Sequence, residues 1–179
     1  MEMIIDALPF LLKATLVTVY LAVVSMAIGL VIGLFTALAR VSKNKILYSV
    51  ATFYVSIIRG TPLLVQIYLV YFGLPQIGIA LGAFLSGIIA LSLNAGAYLS
   101  ESFRAAILSV DKGQTEAAHS LGMTNWQSMR RIIIPQSIRT AIPTLGNTYI
   151  GLIKDTSLVS VITVTELLYQ TSLIIAKTF

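Results

Sequence analysis

Residues 60–100 read GTPLLVQIYLVYFGLPQIGIALGAFLSGIIALSLNAGAYLS, 41 residues without one Asp, Glu, Lys or Arg. A helix crosses the ~30 Å apolar core of a bilayer with roughly 20 residues, so this run is too long for one crossing and suits two. Gly73-Leu74-Pro75-Gln76-Ile77-Gly78 collects turn formers and marks the hinge between them. Upstream, residues 14–39 form a second charge-free run of 26 residues, enough for one crossing. Three membrane spans are therefore in place by Ser100.

Downstream the pattern changes. Residues 101–139 hold Glu101, Arg104, Asp111, Lys112, Glu116, Arg130, Arg131 and Arg139, a density of charge that lipid does not accept. Residues 140–153 are charge-free again but stop at Lys154-Asp155, and the stretches 156–165 and 167–176 are split by Glu166. These features predict one more span starting near residue 139, irregular or broken around residues 151–157. A helix on or near the far membrane surface follows it. The expected fold class is an all-α membrane protein of about four to five transmembrane helices, forming a single domain over residues 1–179.

Orientation follows from the basic residues of the loops. Arg40, Lys43 and Lys45 follow the first span, and Arg104, Lys112, Arg130, Arg131 and Arg139 lie after the third, so eight of the 12 Lys and Arg residues share one side. That side is expected to be the cytoplasm, with the N-terminus outside. The start of the chain, with Glu2 and Asp6, lacks the basic region of a secretory signal. Topology thus accounts for most of the net charge of +5, and nucleic acid is not expected as a partner.

Composition narrows the chemistry. The chain is 57% hydrophobic and only 11% charged, against about 25% charged in an ordinary soluble domain. It has no cysteine and one histidine, His119, which removes thiolate and multi-histidine metal sites, disulfides and cysteine nucleophiles. No phosphate-binding G-x-x-x-x-G-K-[ST] loop, nucleophile elbow, H-E-x-x-H or EF-hand pattern occurs. Catalysis by this chain alone is not expected, and no cofactor is. The G-x-x-x-G patterns at Gly29–Gly33 and Gly78–Gly82 read as helix-packing faces.

The 101–139 segment is regular where a connecting loop need not be. Glu116-Ala117-Ala118 is followed by Gly122, and after nine further residues come Ile132 and then Pro135. Residues 115–121 predict a short helix ended by Gly122. Thr124 or Asn125 then caps a second short helix running to about Ile134, where Pro135 stops it. From the residues alone this is an amphipathic elbow lying on the membrane surface.

The spacing resembles the signature loop of the membrane subunits of bacterial ABC importers, E-A-A, three residues, G, nine residues, I-x-L-P. It is matched at Glu116, Ala117, Ala118, Gly122, Ile132 and Pro135, with Ile134 where leucine is usual. Arg59-Gly60-Thr61-Pro62-Leu63-Leu64-Val65-Gln66, Leu93-Asn94-Ala95-Gly96-Ala97-Tyr98 with Glu101 and Arg104, Gly146-Asn147, and Lys154-Asp155-Thr156-Ser157-Leu158 resemble the polar amino-acid subgroup. The likeness covers about residues 8–170.

The resemblance implies a permease subunit coupled to a separate ABC ATP-binding subunit, which binds the ATP. The elbow, about residues 109–136, would sit in a groove on that subunit, with Glu116 as the docking contact and Gly122 as the bend. It also implies a second permease, identical or homologous, an extracytoplasmic solute-binding protein, and a polar amino acid as substrate in the bacterial inner membrane. In the family the chain usually runs on past a point like Phe179 with one more span returning to the cytoplasm, and that last helix is missing from this sequence. The rival from another class is a secondary carrier or channel driven by an ion gradient, for which Glu101 and Glu166 are the candidate carboxylates.

Polar groups inside a bilayer are costly and mark function. Gln66, Ser92 and Asn94 stand out between Arg59 and Glu101. Asn94, near mid-span among glycine and alanine, could bond an ammonium or a carboxylate, or another helix. By family likeness it lines the substrate pathway. Asn147 and Thr148 fall in the broken fourth span, where unwound backbone could serve a polar solute. Relatives that carry basic amino acids often have an acidic residue at the Thr148 position, so threonine favours an uncharged substrate such as glutamine or cystine. Arg59 is expected to snorkel or to bond backbone freed by Pro62, Lys154-Asp155 to form an ion pair, and Tyr68, Tyr71 and Phe72 to join an aromatic belt.

Overall fold

The computed structural model describes residues 2–178. Regular structure among them is helical: α1 (Glu2–Val41), α2 (Lys45–Gly60), α3 (Leu63–Tyr68), α4 (Ala83–Leu108), α5 (Lys112–Ser120), α6 (Asn125–Ser128), α7 (Ile134–Asp155) and α8 (Leu167–Thr178). Two helices, α1 and α4, are long and apolar enough to cross a membrane alone. Two pairs pass together across a bend, α2 with residues 63–77 at 107° and residues 125–162 with α8 at 52°, giving up to four spans among the described residues.

The bundle is organised on α4. Its small residues are buried on several faces, Ser86, Gly87, Ala90, Asn94, Ala95, Gly96 and Ser100 among them, which lets neighbours come close. The main seam is with α1. A Cβ placed on Gly33 would lie 2.8 Å from Leu99 Cβ and 3.1 Å from the Gly96 carbonyl oxygen, and one on Gly96 would lie 2.7 Å from Ile32 Cγ2. The first G-x-x-x-G pattern is therefore a packing face, and α4 is what it packs against. The second is not. Gly78 ends a 3-10 turn at φ +86° and Gly82 precedes α4, with nothing within 4 Å of either Cβ position. The pattern marks helices only where both glycines fall inside one.

The hinge expected at residues 73–78 is present, as a π-turn at Leu69–Gly73 followed by a 3-10 turn at Leu74–Ile77. The helix α2 was not foreseen. Asn44 caps it, accepting from the Ile46 and Leu47 amides at 2.9 and 3.2 Å. It buries Ala51 and Val55 and exposes Ile46, Val50, Phe53 and Ile57 at helical spacing. The segment is amphipathic and lies between two stronger apolar runs, which hid it.

Pro135 does not stop a helix as expected. Residues Met129–Ile133 widen into a π-turn, in which the Ile134 amide donates to the Met129 carbonyl, and Pro135 lies in the first turn of α7. There its missing N–H removes no necessary bond, so the chain runs on helically. Asn147 and Thr148 consequently lie in regular helix, with the Thr148 hydroxyl donating to the Thr144 carbonyl at 3.0 Å. The irregular stretch falls later, as a 3-10 helix at Thr156–Ile162 ending at Thr163 with φ 66°. Glu166 then caps α8, accepting from the Leu168 and Tyr169 amides at 2.9 and 2.7 Å while only 2% exposed.

Candidate functional site

The site begins at the α2–α3 break. Proline at 62 drives Thr61 out of the helical region, to φ −119° and ψ 143°, and this opens the last turn of α2. Gln66 closes it from α3. Its amide nitrogen donates to the Ile58 carbonyl at 2.7 Å and lies 3.1 and 3.0 Å from the Thr61 carbonyl and hydroxyl oxygens. An amide has two hydrogens, so two of these three acceptors are served at once. The other end of Gln66 accepts from Asn94 Nδ2 at 3.2 Å. Gln66 thus ties α2, α3 and α4 together.

Beside this tie lies a cavity of about 520 Å³ between the α2–α3 break, α4 and α7. Arg59, Asn94, Tyr98, Thr148 and Asp155 bring polar groups to its wall. Of the candidate pathway residues, Asn94 and Thr148 face this space together, while Gln66 supports the wall from behind and Asn147 does not line it. Ser92 is buried at 2% exposure and away from the lining.

An arginine cluster adjoins the cavity. Glu101 pairs with Arg40 through Oε1, with Arg59 at 3.3 Å through the same oxygen, and with Arg104 at 3.0 Å through Oε2. The Arg59 guanidinium also lies 5.2 Å from the centroid of the Tyr98 ring. Three helices, α1, α2 and α4, meet on one carboxylate. Glu101 directly follows the charge-free run of residues 60–100. Arg59 is a partner of Glu101 and Tyr98 rather than a free snorkelling cation. The expected Lys154–Asp155 ion pair is not made, for the ion pairs among the described residues all converge on Glu101.

The elbow is a second candidate surface. Asp111 caps α5, accepting from the Gly113 amide at 2.8 Å. At its other end Gly122, at φ +77°, donates to the His119 carbonyl at 2.9 Å, and Met123 donates to the Ala118 carbonyl at 3.1 Å. This is the Schellman ending that a glycine permits. Thr124 opens α6 with a reciprocal capping box, its amide to Gln127 Oε1 at 2.8 Å and the Gln127 amide to its hydroxyl at 3.3 Å. Glu116 and Ala117 are exposed and Ala118 is buried, while Leu121 and Trp126 stand 82% and 62% exposed. Ile132 is half-buried and Pro135 exposed. The Glu116 carboxylate has no hydrogen bond or ion pair among the described residues.

An apolar helical bundle with a partly open cavity carrying polar groups and an exposed, capped elbow suits a transport subunit. The comparisons agree. The family described as binding-protein-dependent transport system inner membrane component matches residues 29–178. The probable amino-acid ABC transporter permease protein YckA of Bacillus subtilis (strain 168) is 47% identical over 99% of this chain and 79% of its own length. The L-cystine transport system permease protein TcyB of the same organism is 50% identical over 89% of this chain and 68% of its own length. A crystal structure of an amino acid ABC transporter with histidines superposes at a TM-score of 0.89 and 43% identity, covering 97% of this chain and 81% of that one. The chain belongs to the family of inner-membrane components of binding-protein-dependent transport systems. It is an ABC importer permease, and its transporter also comprises an ATP-binding subunit and a solute-binding protein.

Proposed function

We propose that this permease, a single domain over residues 1–179, moves polar amino acids, with uncharged ones such as glutamine or cystine preferred. The observation that carries this reading is that Asn94 on α4 and Thr148 on α7, both hydrogen-bonding but uncharged, line one cavity, beside Arg59 and Asp155. An amide and a hydroxyl recognise a polar side chain without a compensating charge. The names of TcyB and of the superposed amino acid transporter support the substrate class.

The elbow would carry the coupling to ATP. Glu116 and Ala117 present the contact, Ala118 packs the first short helix inward, Gly122 sets the bend, and Ile132 and Pro135 join the second helix to α7. The clustering of basic residues supports a cytoplasmic elbow and an N-terminus outside. The second permease would be another copy or a homologue. The chain itself holds no cofactor in this reading.

Glu101 and Glu166, the carboxylates weighed for a gradient-driven carrier, are committed to arginines and to a helix cap. The test is uptake of a panel of labelled amino acids by proteoliposomes holding the permease, its ATPase and its binding protein, with ion gradients collapsed. Uptake of a polar amino acid that requires ATP is expected. Uptake that ignores ATP and follows an ion gradient would overturn the reading.

A further inference from the structure

Helix α2 is fastened to the bundle at few points. It buries only Ala51 and Val55. The Tyr54 hydroxyl donates to the Leu93 carbonyl of α4 at 2.6 Å, and the Ile58 carbonyl and Arg59 are held near its C-terminal end. The rest of its apolar surface stands open, with Ile46, Leu47, Val50 and Phe53 each more than half exposed. Between α1 and α2 runs a groove of about 330 Å³, walled by Phe35, Thr36 and Ala39 on one side and Leu47, Val50 and Tyr54 on the other. Its side chains are apolar apart from the Thr36 and Tyr54 hydroxyls. It follows residues 32–39 of α1, about 10 Å along the helix axis.

At one end of this groove the chain turns from α1 into α2 through Ser42, Lys43 and Asn44. Lys43 and Lys45 are exposed there, and their side chains make no hydrogen bond or ion pair among the described residues. No Asp or Glu occurs in the sequence between Asp6 and Glu101, and Glu101 is committed to Arg40, Arg59 and Arg104. The groove thus ends in two cations to which this part of the chain supplies no anion.

We propose that the groove binds one anionic phospholipid, with its acyl chain between α1 and α2 and its headgroup at Lys43 and Lys45. Lipid tails are as apolar as the wall, so the groove sets the position and the headgroup sets the selectivity. An apolar helix would fill the groove and leave both lysines unpaired, whereas a phosphate pairs with them. A zwitterionic headgroup brings its own cation to the lysines and gains less. In the orientation proposed above, this end faces the cytoplasmic leaflet, where each lysine near the surface strengthens attraction to anionic lipid by about fivefold. The bound lipid braces α2 against α1, and with it the contact of Arg59 with Glu101.

The test uses the purified permease–ATPase complex in phosphatidylcholine vesicles that contain phosphatidylglycerol carrying a photoactivatable diazirine in its acyl chain. After irradiation, peptide mapping should place the crosslinks mainly on residues 32–39 and 47–54. The same probe with a phosphatidylcholine headgroup should label these residues about tenfold less. Lys43→Gln combined with Lys45→Gln should abolish the difference between headgroups. Lys112→Gln combined with Arg130→Gln, which removes the same charge from the elbow, should leave it intact. Soluble glycerol phosphate in excess should not compete. Labelling spread evenly over the helices, equal labelling by the two headgroups, or a ratio unchanged by the Lys43 and Lys45 substitutions would overturn the proposal. So would a ratio lost equally in the elbow variant, which would make the attraction a general one. Competition by glycerol phosphate would assign the lysines to a free anion, and absence of label from the groove would assign it to a protein neighbour; either result overturns the lipid site.

Discussion

Replacing Gln66 by methionine keeps the length of the side chain and deletes both ends of its amide. In the native protein that amide serves the Ile58 carbonyl at 2.7 Å and accepts from Asn94 at 3.2 Å, while being 7% exposed. Its remaining contacts are to Thr61, which is exposed and can turn to water. A buried polar group left without a partner costs about 1–3 kcal/mol. With the Ile58 carbonyl and the Asn94 amide both orphaned, Gln66→Met should destabilise the fold by about 2–6 kcal/mol. The exposed neighbour gives the control, since Thr61→Ala should cost less than about 0.5 kcal/mol. Equilibrium unfolding in mixed micelles, followed by far-UV circular dichroism, reads both. A Gln66→Met protein within about 0.5 kcal/mol of wild type would refute the idea that Gln66 seals the break between α2 and α3.

Three further outcomes are expected. Gly33→Ala places a methyl 2.8 Å from Leu99 Cβ and 3.1 Å from backbone atoms of Gly96 and Ser100. Overpacking of about 1–3 kcal/mol should exceed the ~1 kcal/mol gain in helix propensity, lowering the thermal midpoint. Gly146→Ala, with nothing within 4 Å, should not lower it. Gly122→Ala should cost about 1–2 kcal/mol at φ +77° and weaken the stimulation of the ATPase by substrate, whereas Gly122→Asn should be milder. Thr148→Glu should raise the affinity for arginine or lysine in a binding competition, and unchanged selectivity would remove Thr148 from the site.

Features carried by local rules were legible in the sequence. Charge-free runs gave the two long helices α1 and α4, Gly122 gave the left-handed end of α5, and Thr124 was one of two candidates for the cap of α6, because each signal lies within a few neighbouring residues. What depended on distant pairing was not. Glu101 could not be recognised as the hub of the bundle, because Arg40 lies 61 residues away and only the α1–α4 seam brings them together. Pro135 reads locally as a stop, yet a π-turn before it shifts the register and the helix continues. The same continuity makes Asn147 and Thr148 regular helix, so Thr148 reaches the cavity by its place on a helix face rather than through unwound backbone. Lys154 and Asp155 are neighbours in sequence, but only Asp155 lines the cavity with Arg59.

The central claim, that this permease works through an ATPase docked at its elbow, is tested most directly with Glu116→Lys. Glu116 is exposed and its side chain makes no contact that holds the fold, so the helices should remain intact. In proteoliposomes containing the complete transporter, ATP hydrolysis should lose its dependence on loaded binding protein, and uptake should stop. Hydrolysis that stays fully substrate-dependent, with uptake at the wild-type rate, would contradict the account.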